Sequence, residues 1–368
     1  MERTELFKKI KRVVVKIGTS SITVDDRIAA SKIDGFARQI SALRNCGYEV
    51  VIVTSGAISA GAGVLGMKRS NLAIPEKQAL AAVGQAVLMN EYKTCFSVYG
   101  SNVGQVLLTE DDMRHRTRFL NARNTLNALI TMNVIPVINE NDTVAVNEIK
   151  FGDNDTLSAH VYSLVEAELL VLLSDIDGFY NDLKDPEPVR LINRINDDIR
   201  SRAGGTGTTH GTGGMVTKVN AAEMIMRLGG MMVIADGSEE SILERVLAGE
   251  MTGTLFVGQS VKINSRKKWI SMRKCKGTVV IDDGAVNAIT CNKKSLLAAG
   301  ITRVNGRFVM GDIVDIVNSG DVPVARGIVN YSSDELEQIK GKKNSEIRRI
   351  PGINYFDEVI NRDDFILL

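Results

Sequence analysis

The stretch FGDNDTLSA, residues 151–159, sets two aspartates around an asparagine, directly after a glycine and directly before a helical pattern. Asp153 and Asp155 repel each other unless something cationic or polar lies between them. A solvated turn capping a helix is the plainer alternative, since Asp and Asn suit both positions. Two lysines elsewhere in the chain offer the missing charge. Lys16 ends the apolar strand pattern VVVKI, where an ammonium is costly without an anion partner, although a lysine at a core edge can also extend to water. Gly18, Thr19 and Ser20 behind it leave room for a phosphate. Lys218 follows the glycine and threonine run GGTGTTHGTGGMVTK at the start of another helical pattern. Backbone N–H groups, hydroxyls and an ammonium converge there as they do in anion sites, the alternative being a flexible surface loop. Two lysines, a phosphate loop and a carboxylate cluster suggest phosphoryl transfer, whose demands are positioning and charge neutralisation. No histidine base is needed if the acceptor is itself a carboxylate, ionised at neutral pH with a pKa of about 4.3. Such a group attacks a γ-phosphate directly once Lys16, Lys218 and nucleotide-bound Mg²⁺ offset the repulsion between two anions.

These residues need a frame. Short β-branched apolar runs at residues 13–17, 49–55, 103–109, 134–139, 168–175 and 231–237 read as buried strands. Helical stretches lie between them at 28–45, 76–99, 121–132, 156–168, 218–228 and 241–247. Continuous apolar strands alternating with helices predict an α/β fold, a doubly wound, mainly parallel sheet covered on both faces. In such sheets ligands bind beyond the carboxyl ends of the strands. Those ends read KIGTSS, VTSGAISAGAG, VINEND, LLSDIDG and IADG, so the glycine-rich and acidic segments gather on one edge. GAGVLG, residues 61–66, matches GxGxxG, but it stands too far beyond the preceding strand for a dinucleotide turn. No GxxxxGK[ST] run occurs.

The composition is that of an ordinary soluble chain, with 44% hydrophobic and 24% charged residues among 368. Lys and Arg (45) balance Asp and Glu (44), so nothing global calls for nucleic acid or an acidic membrane. The four scattered cysteines, Cys46, Cys95, Cys275 and Cys291, and three isolated histidines argue against a zinc site or a disulfide framework and fit a reducing, cytoplasmic setting. The N-terminus lacks an apolar signal region, and no run is long enough to span a bilayer. The expected domains are 1–260, a basic linker at 261–275, a smaller, mostly β domain at 276–355 and a tail at 356–368. Residues 261–277 hold seven Lys or Arg and no acid, either a solvated linker or an electrostatic footprint. The region beyond reads as short strands interrupted by one helix, KKSLLAAG.

The ordered segments VVVKIGTSSIT, VTSGAISAG, FLNARNTL, VIPVINENDTV, KFGDNDTLSA, LLSDIDGFY and GTGGMVTK resemble the glutamate 5-kinases of the amino acid kinase family. The C-terminal KGTVVIDDGAVNAI, SLLAAGITRVNGRFVMGDIVDI and VARGIVNYSSDEL look like a PUA domain. The resemblance implies ATP-dependent phosphorylation of the γ-carboxylate of L-glutamate, with Mg²⁺, as the first step towards proline. It implies that Lys16 and Lys218 stabilise the transferring phosphoryl group and that Asp155 holds both lysines. Ser55, Asp142 and Asn154 would hold glutamate, with Asp153 and Asn154 contacting its ammonium and carboxylate, or a metal. Ser174 and Asp175, with Thr212, Gly213, Gly214, Met215, Val216, Thr217 and Lys218, would hold ATP together with Lys16. The family commonly has Thr where Ser174 stands, and the hydroxyl is retained. Inhibition by L-proline, homo-oligomers and handover to γ-glutamyl phosphate reductase are further expectations. The aspartate, N-acetylglutamate and uridylate kinases share the fold. RNA binding through the PUA-like region is a competing role, expected to weaken steeply with salt.

Overall fold

The computed structural model describes residues 3–25, 27–68, 72–145, 154–182, 184–204, 214–258, 270, 275–350 and 355–368. Asp153, Thr212, Gly213 and nearly all of the 261–275 segment lie outside the described residues. The chain divides into two compact units, Met1–Val261 and Lys262–Leu368.

In the first unit α1 (Arg3–Phe7) leads into β1 (Arg12–Ile17), a short α2 (Thr19–Ile22) and the hairpin β2 (Thr23–Val24) and β3 (Arg27–Ile28). Then come α3 (Ala30–Asn45), β4 (Glu49–Val53), α4 (Ala57–Leu65), α5 (Ile74–Val98), β5 (Asn102–Leu108), α6 (Glu110–Arg114), α7 (Arg116–Thr131) and β6 (Val134–Glu140). The unit continues with α8 (Asn154–Leu164), β7 (Leu169–Ser174), β8 (Leu191–Ile192), α9 (Asp197–Ala203), α10 (Met215–Arg227), β9 (Met231–Asp236), α11 (Ile242–Leu247) and β10 (Thr254–Val257). The sheet order is β5-β6-β4-β1-β7-β9-β10-β8. Every pairing is parallel except that of β10 with β9.

The two central strands explain why the sheet holds. Val13, Val14, Val15 and Ile17 of β1 and Leu169 to Leu173 of β7 are fully buried, and each such side chain contributes about 1.5–3 kcal/mol. Side chains alternate across a strand. Val13, Val15 and Ile17 join a core cluster with Phe36 and Ile40 of α3 and Leu88, Tyr92 and Phe96 of α5. Lys16 belongs to the alternate set, and on that face β1 meets α8.

Several sequence expectations need correction. Residues 28–29 precede the helix expected from 28, because Arg27 and Ile28 pair with β2. GAGVLG lies inside and at the end of α4, a helix the sequence reading left as a glycine-rich segment. Its Gly61 is small for packing: a Cβ there would come 2.0 Å from the Leu80 carbonyl oxygen of α5. In the same crossing a Cβ on Gly84 would come 1.8 Å from the Ala57 carbonyl oxygen, so α4 and α5 touch backbone to backbone.

The second unit is a five-stranded sheet of β11 (Gly277–Ile281), β12 (Ile301–Gly306), β13 (Ile313–Val317), β14 (Pro323–Ile328) and β15 (Phe365–Leu367), in the order β12-β11-β13-β14-β15. KKSLLAAG is not the helix it was expected to be; only Ala298–Gly300 forms a single 3₁₀ turn. The helix is α12 (Asp283–Thr290), whose Asp282 side chain accepts from the Ala285 N–H at 2.7 Å, a strong N-cap. The segment read as a tail from 356 supplies β15, and Phe365 is buried in that unit's core.

Candidate active site

The carboxyl edge of the sheet collects its functional groups around the first turn of α8. Asn154 and Asp155 are neighbours there, yet they engage separate partners.

Asp155 is 1% exposed and receives two ammonium groups. Lys16 Nζ lies 2.7 Å from its Oδ1, and Lys218 Nζ lies 3.1 Å from its Oδ2. Thr217 Oγ1 is 3.0 Å from the same Oδ2 and 2.7 Å from the Gly214 carbonyl oxygen. Burial alone would push the Asp155 carboxyl up, but Lys16 and then Lys218 overrule it and hold the group below the usual carboxylate range. Its place in the first turn of a helix also favours the anion. Two ammonium groups thus share one buried carboxylate. Lys218 reaches it from the first turn of α10, whose N-terminal N–H groups begin at Gly214 and Met215, with Val216 exposed. Gly18 stands beside Lys16: a Cβ there would sit 3.7 Å from the ammonium and 3.4 Å from the Leu173 carbonyl oxygen. This is a place where an anion can approach because no side chain fills it.

Asn154 heads an uncharged set. Its Nδ2 donates to the Thr54 carbonyl oxygen at 2.6 Å, to Ser55 Oγ at 2.8 Å and to Asn139 Oδ1 at 2.9 Å. Asn139 Oδ1 also accepts from the Glu140 N–H at 2.9 Å, and Asn139 Nδ2 donates to Gln85 Oε1 of α5 at 2.9 Å. Thr54 Oγ1 shares a 2.9 Å hydrogen bond with Tyr92 OH, also on α5. Ser55 is half-buried and leads into Gly56, whose φ of +99° places it in the left-handed region at the start of α4. Asp142 is half-buried in the turn after β6.

Ser174 and Asp175, at the end of β7, bond to each other at 3.0 Å. They line a cavity of about 570 Å³ with Ser20, Ser21, Asp236 and Gly237. Among the described residues no three His, Cys, Asp or Glu side chains form a metal cluster, and no helix is long and apolar enough to cross a membrane.

The structure therefore brings together Lys16, Asp155, Thr217 and Lys218 in one set and Ser55 and Asn154 in another. Asn139, Gln85, Thr54 and Tyr92 are participants that the sequence reading missed. Asn139 closes the apolar strand pattern VIPVIN, and a polar residue at that point is the signal the sequence offers. Gln85 and Tyr92 gave none, being polar positions inside a long helix.

A model of the amino acid kinase family matches residues 11–236, more than half of the chain, and a PUA domain model matches residues 277–351. The chain belongs to the amino acid kinase family. It is similar in fold to the carbamate kinase of Giardia, with a TM-score of 0.51 and 16% identity, covering 68% of this chain and 100% of that one. Among individual relatives, the Glutamate 5-kinase of Geobacter sp. (strain M21) is 46% identical over 372 residues, covering 100% of both chains. That of Caldanaerobacter subterraneus subsp. tengcongensis is 46% identical over 363 residues, covering 97% of this chain and 98% of its own.

Proposed function

We propose that this chain transfers the γ-phosphoryl group of ATP to the γ-carboxylate of L-glutamate, giving L-glutamyl 5-phosphate and ADP, the first step of proline biosynthesis. A carboxylate oxygen forms the new P–O bond as the bond to the β-phosphate oxygen breaks, so no proton has to be removed from the acceptor. The observation that carries the reading is the junction at Asn154 and Asp155, where a charged trio adjoins a neutral, hydrogen-bonding set. Full-length similarity to glutamate 5-kinases supports the choice of acceptor.

The charged set acts on the phosphates. Lys16 and Lys218 stabilise the charge on the transferring group, and Asp155 holds both ammonium groups in place. Gly214, Met215, Val216 and Thr217 offer the N-terminus of α10 to a phosphate, with Thr212 and Gly213 preceding it in the chain. Ser174 and Asp175 contact the nucleotide from the cavity they line. Magnesium fits as a companion of the nucleotide. The two Asp155 oxygens are already engaged by ammonium groups, so the ion is best placed on ATP phosphates, as is usual for Mg²⁺. There it would neutralise charge on the β- and γ-oxygens.

The neutral set acts on glutamate. Ser55, Asp142 and Asn154 hold it, and Asp153, outside the described residues, is assigned with Asn154 to its ammonium and carboxylate groups or to a metal. L-proline as a feedback inhibitor, a homo-oligomer, a γ-glutamyl phosphate reductase as receiver of the product and a cytoplasmic setting belong to the same reading. RNA binding by the second unit would be a separate activity.

Hydroxylamine trapping tests the reaction. With ATP and Mg²⁺ the protein should form a hydroxamate from L-glutamate, and none from L-aspartate or N-acetyl-L-glutamate, with no UMP-dependent ADP release. A hydroxamate from another acid would move the acceptor assignment. No product and no ADP from any acceptor would remove the kinase reading.

A further inference from the structure

One polar stripe of α5 is not absorbed by the reaction described above. Gln78, Gln85 and Tyr92 recur every seven residues, which places them on one face of the helix. Each bonds to the carboxyl edge of the sheet: Gln78 Nε2 to the Ala145 carbonyl oxygen at 3.3 Å, Gln85 Oε1 to Asn139 Nδ2 at 2.9 Å and Tyr92 OH to Thr54 Oγ1 at 2.9 Å. The middle contact has a consequence for binding.

The direction of the amide chain is fixed by backbone groups at two points. The Thr54 carbonyl oxygen can only accept, so the Asn154 side chain must turn its Nδ2 towards it. The Glu140 N–H can only donate, so Asn139 must turn its Oδ1 towards that group. Asn139 Nδ2 is then left facing α5 and requires an acceptor, which Gln85 Oε1 supplies. Gln85 is 8% exposed, and its Nε2 has no partner among the described residues. Its oxygen is thus the end that the network uses. Remove that oxygen, and the buried Asn139 amide loses a partner. Turning over offers no remedy, because it would set Asn139 Nδ2 against the Asn154 Nδ2 and the Glu140 N–H, donor against donor. Asn139 is then held at one point fewer, and the Asn154 amide that it braces is held less firmly. All three bonds of Asn154 to other described residues are donated by Nδ2, so its Oδ1 is the end available to accept from a ligand.

We propose that Gln85 is a positioning residue for the phosphoryl acceptor: by anchoring Asn139 it steadies the Oδ1 that braces Asn154, whose amide presents an acceptor suited to the ammonium group of an amino acid. The close crossing of α4 and α5 at Gly61 and Gly84 holds Gln85 at the height required. The inference rests on the reading that Asn154 contacts glutamate.

The test compares Gln85→Met, which keeps the length and removes the acceptor, with Gln85→Glu, which keeps an acceptor oxygen, gives up an N–H without a described partner and adds a buried carboxyl whose desolvation is read in the melting temperature. Steady-state hydroxamate formation is measured with L-glutamate and with ATP varied in turn, beside melting temperature. Gln85→Met should raise the KM for glutamate about tenfold, the size of one lost hydrogen-bond arrangement, while the KM for ATP and kcat stay within about twofold. Gln85→Glu should stay near the parent on all three. A Gln85→Met enzyme with the parent's KM for glutamate overturns the proposal. Equal impairment of both variants, or a parallel rise in the KM for ATP, also overturns it, since a merely structural residue would act that way. If the unmodified protein forms no hydroxamate from glutamate, the reading beneath the inference falls, and the inference with it. Should Gln85→Met fail to fold, Asn139→Asp serves: with Gln85 present the amide can turn and donate Nε2, and with Gln85→Glu two acceptors face each other. The double variant should then have the higher KM for glutamate, and equal values overturn the proposal.

Discussion

The two sets that meet at the start of α8 use opposite physics. Around Asp155 the elements converge on charge: β1 brings Lys16, α10 brings Lys218, and a carboxylate that is 1% exposed holds them apart from each other and in place. Around Asn154 the bonds among the described residues join uncharged groups, and Gln85, Asn139, Ser55 and Thr54 are arranged by donor and acceptor direction. Charge acts over distance and tolerates small errors of angle, whereas an amide chain works only when each member points the right way. The difference suits two tasks: stabilising a phosphoryl group that gathers negative charge, and selecting one orientation of a small acceptor.

The comparison breaks first on the charged side. Lys218→Ala should lower kcat by about 10²–10³-fold, the cost of removing a donor aimed at developing charge. The fold should survive, because Asp155 keeps Lys16 as partner. A kcat within about threefold of the parent would contradict the assigned role. Asp155→Asn is the structural counterpart. It leaves two buried ammonium groups without their carboxylate and should cost about 3–5 kcal/mol in urea or thermal unfolding.

On the neutral side, Ser55→Ala should raise the KM for glutamate about tenfold and leave the KM for ATP unchanged, as one polar contact predicts. Equal rises in both KM values would merge the two sets into one.

This division was only partly legible in the sequence. Lys16 in a buried strand, Asp155 after a glycine and Lys218 after a glycine run are unusual placements for charge, and charge out of place is a visible signal. The parallel sheet was equally legible, because β1, β4 and β7 are almost continuously apolar. The amide chain was not, since Gln85 and Asn139 are ordinary residue types whose significance lies in direction, and direction arises from tertiary packing. In the second unit the same limit reversed one local expectation. KKSLLAAG has good helix formers, but Leu296 bridges Ile360 there, and DGAVNAIT became the helix behind the Asp282 cap.

Acid titration sharpens the contrast further. Burial pushes His160 down to about 4, so the folded chain keeps it neutral while the unfolded chain takes up a proton below its ordinary value near 6.5. The unfolded state then binds more protons, and stability should fall by a few kcal/mol as pH drops from about 6.5 to about 4. The charged trio behaves differently. The Asp155 carboxyl is depressed, so its contribution is present above the ordinary value of 3.8 and is lost only as pH falls through the lower folded value. Unfolding measured from pH 7 to pH 4 should therefore lose most of its slope in His160→Gln, and an unchanged slope would assign the loss to another group. Smallest of all, Tyr92→Phe removes one buried hydroxyl contact to Thr54 and should cost about 1 kcal/mol of stability, with kinetic constants close to the parent.

The most direct test of the division is a glutamate titration of hydroxamate formation at saturating ATP, run on the parent, Lys218→Ala and Asn154→Ala. The account predicts that Lys218→Ala reaches a much lower plateau with the parent's half-saturation. It predicts that Asn154→Ala approaches the parent's plateau at a much higher glutamate concentration. If both variants lower the plateau and shift half-saturation together, Asn154 and Asp155 serve one task rather than two, and the account is wrong.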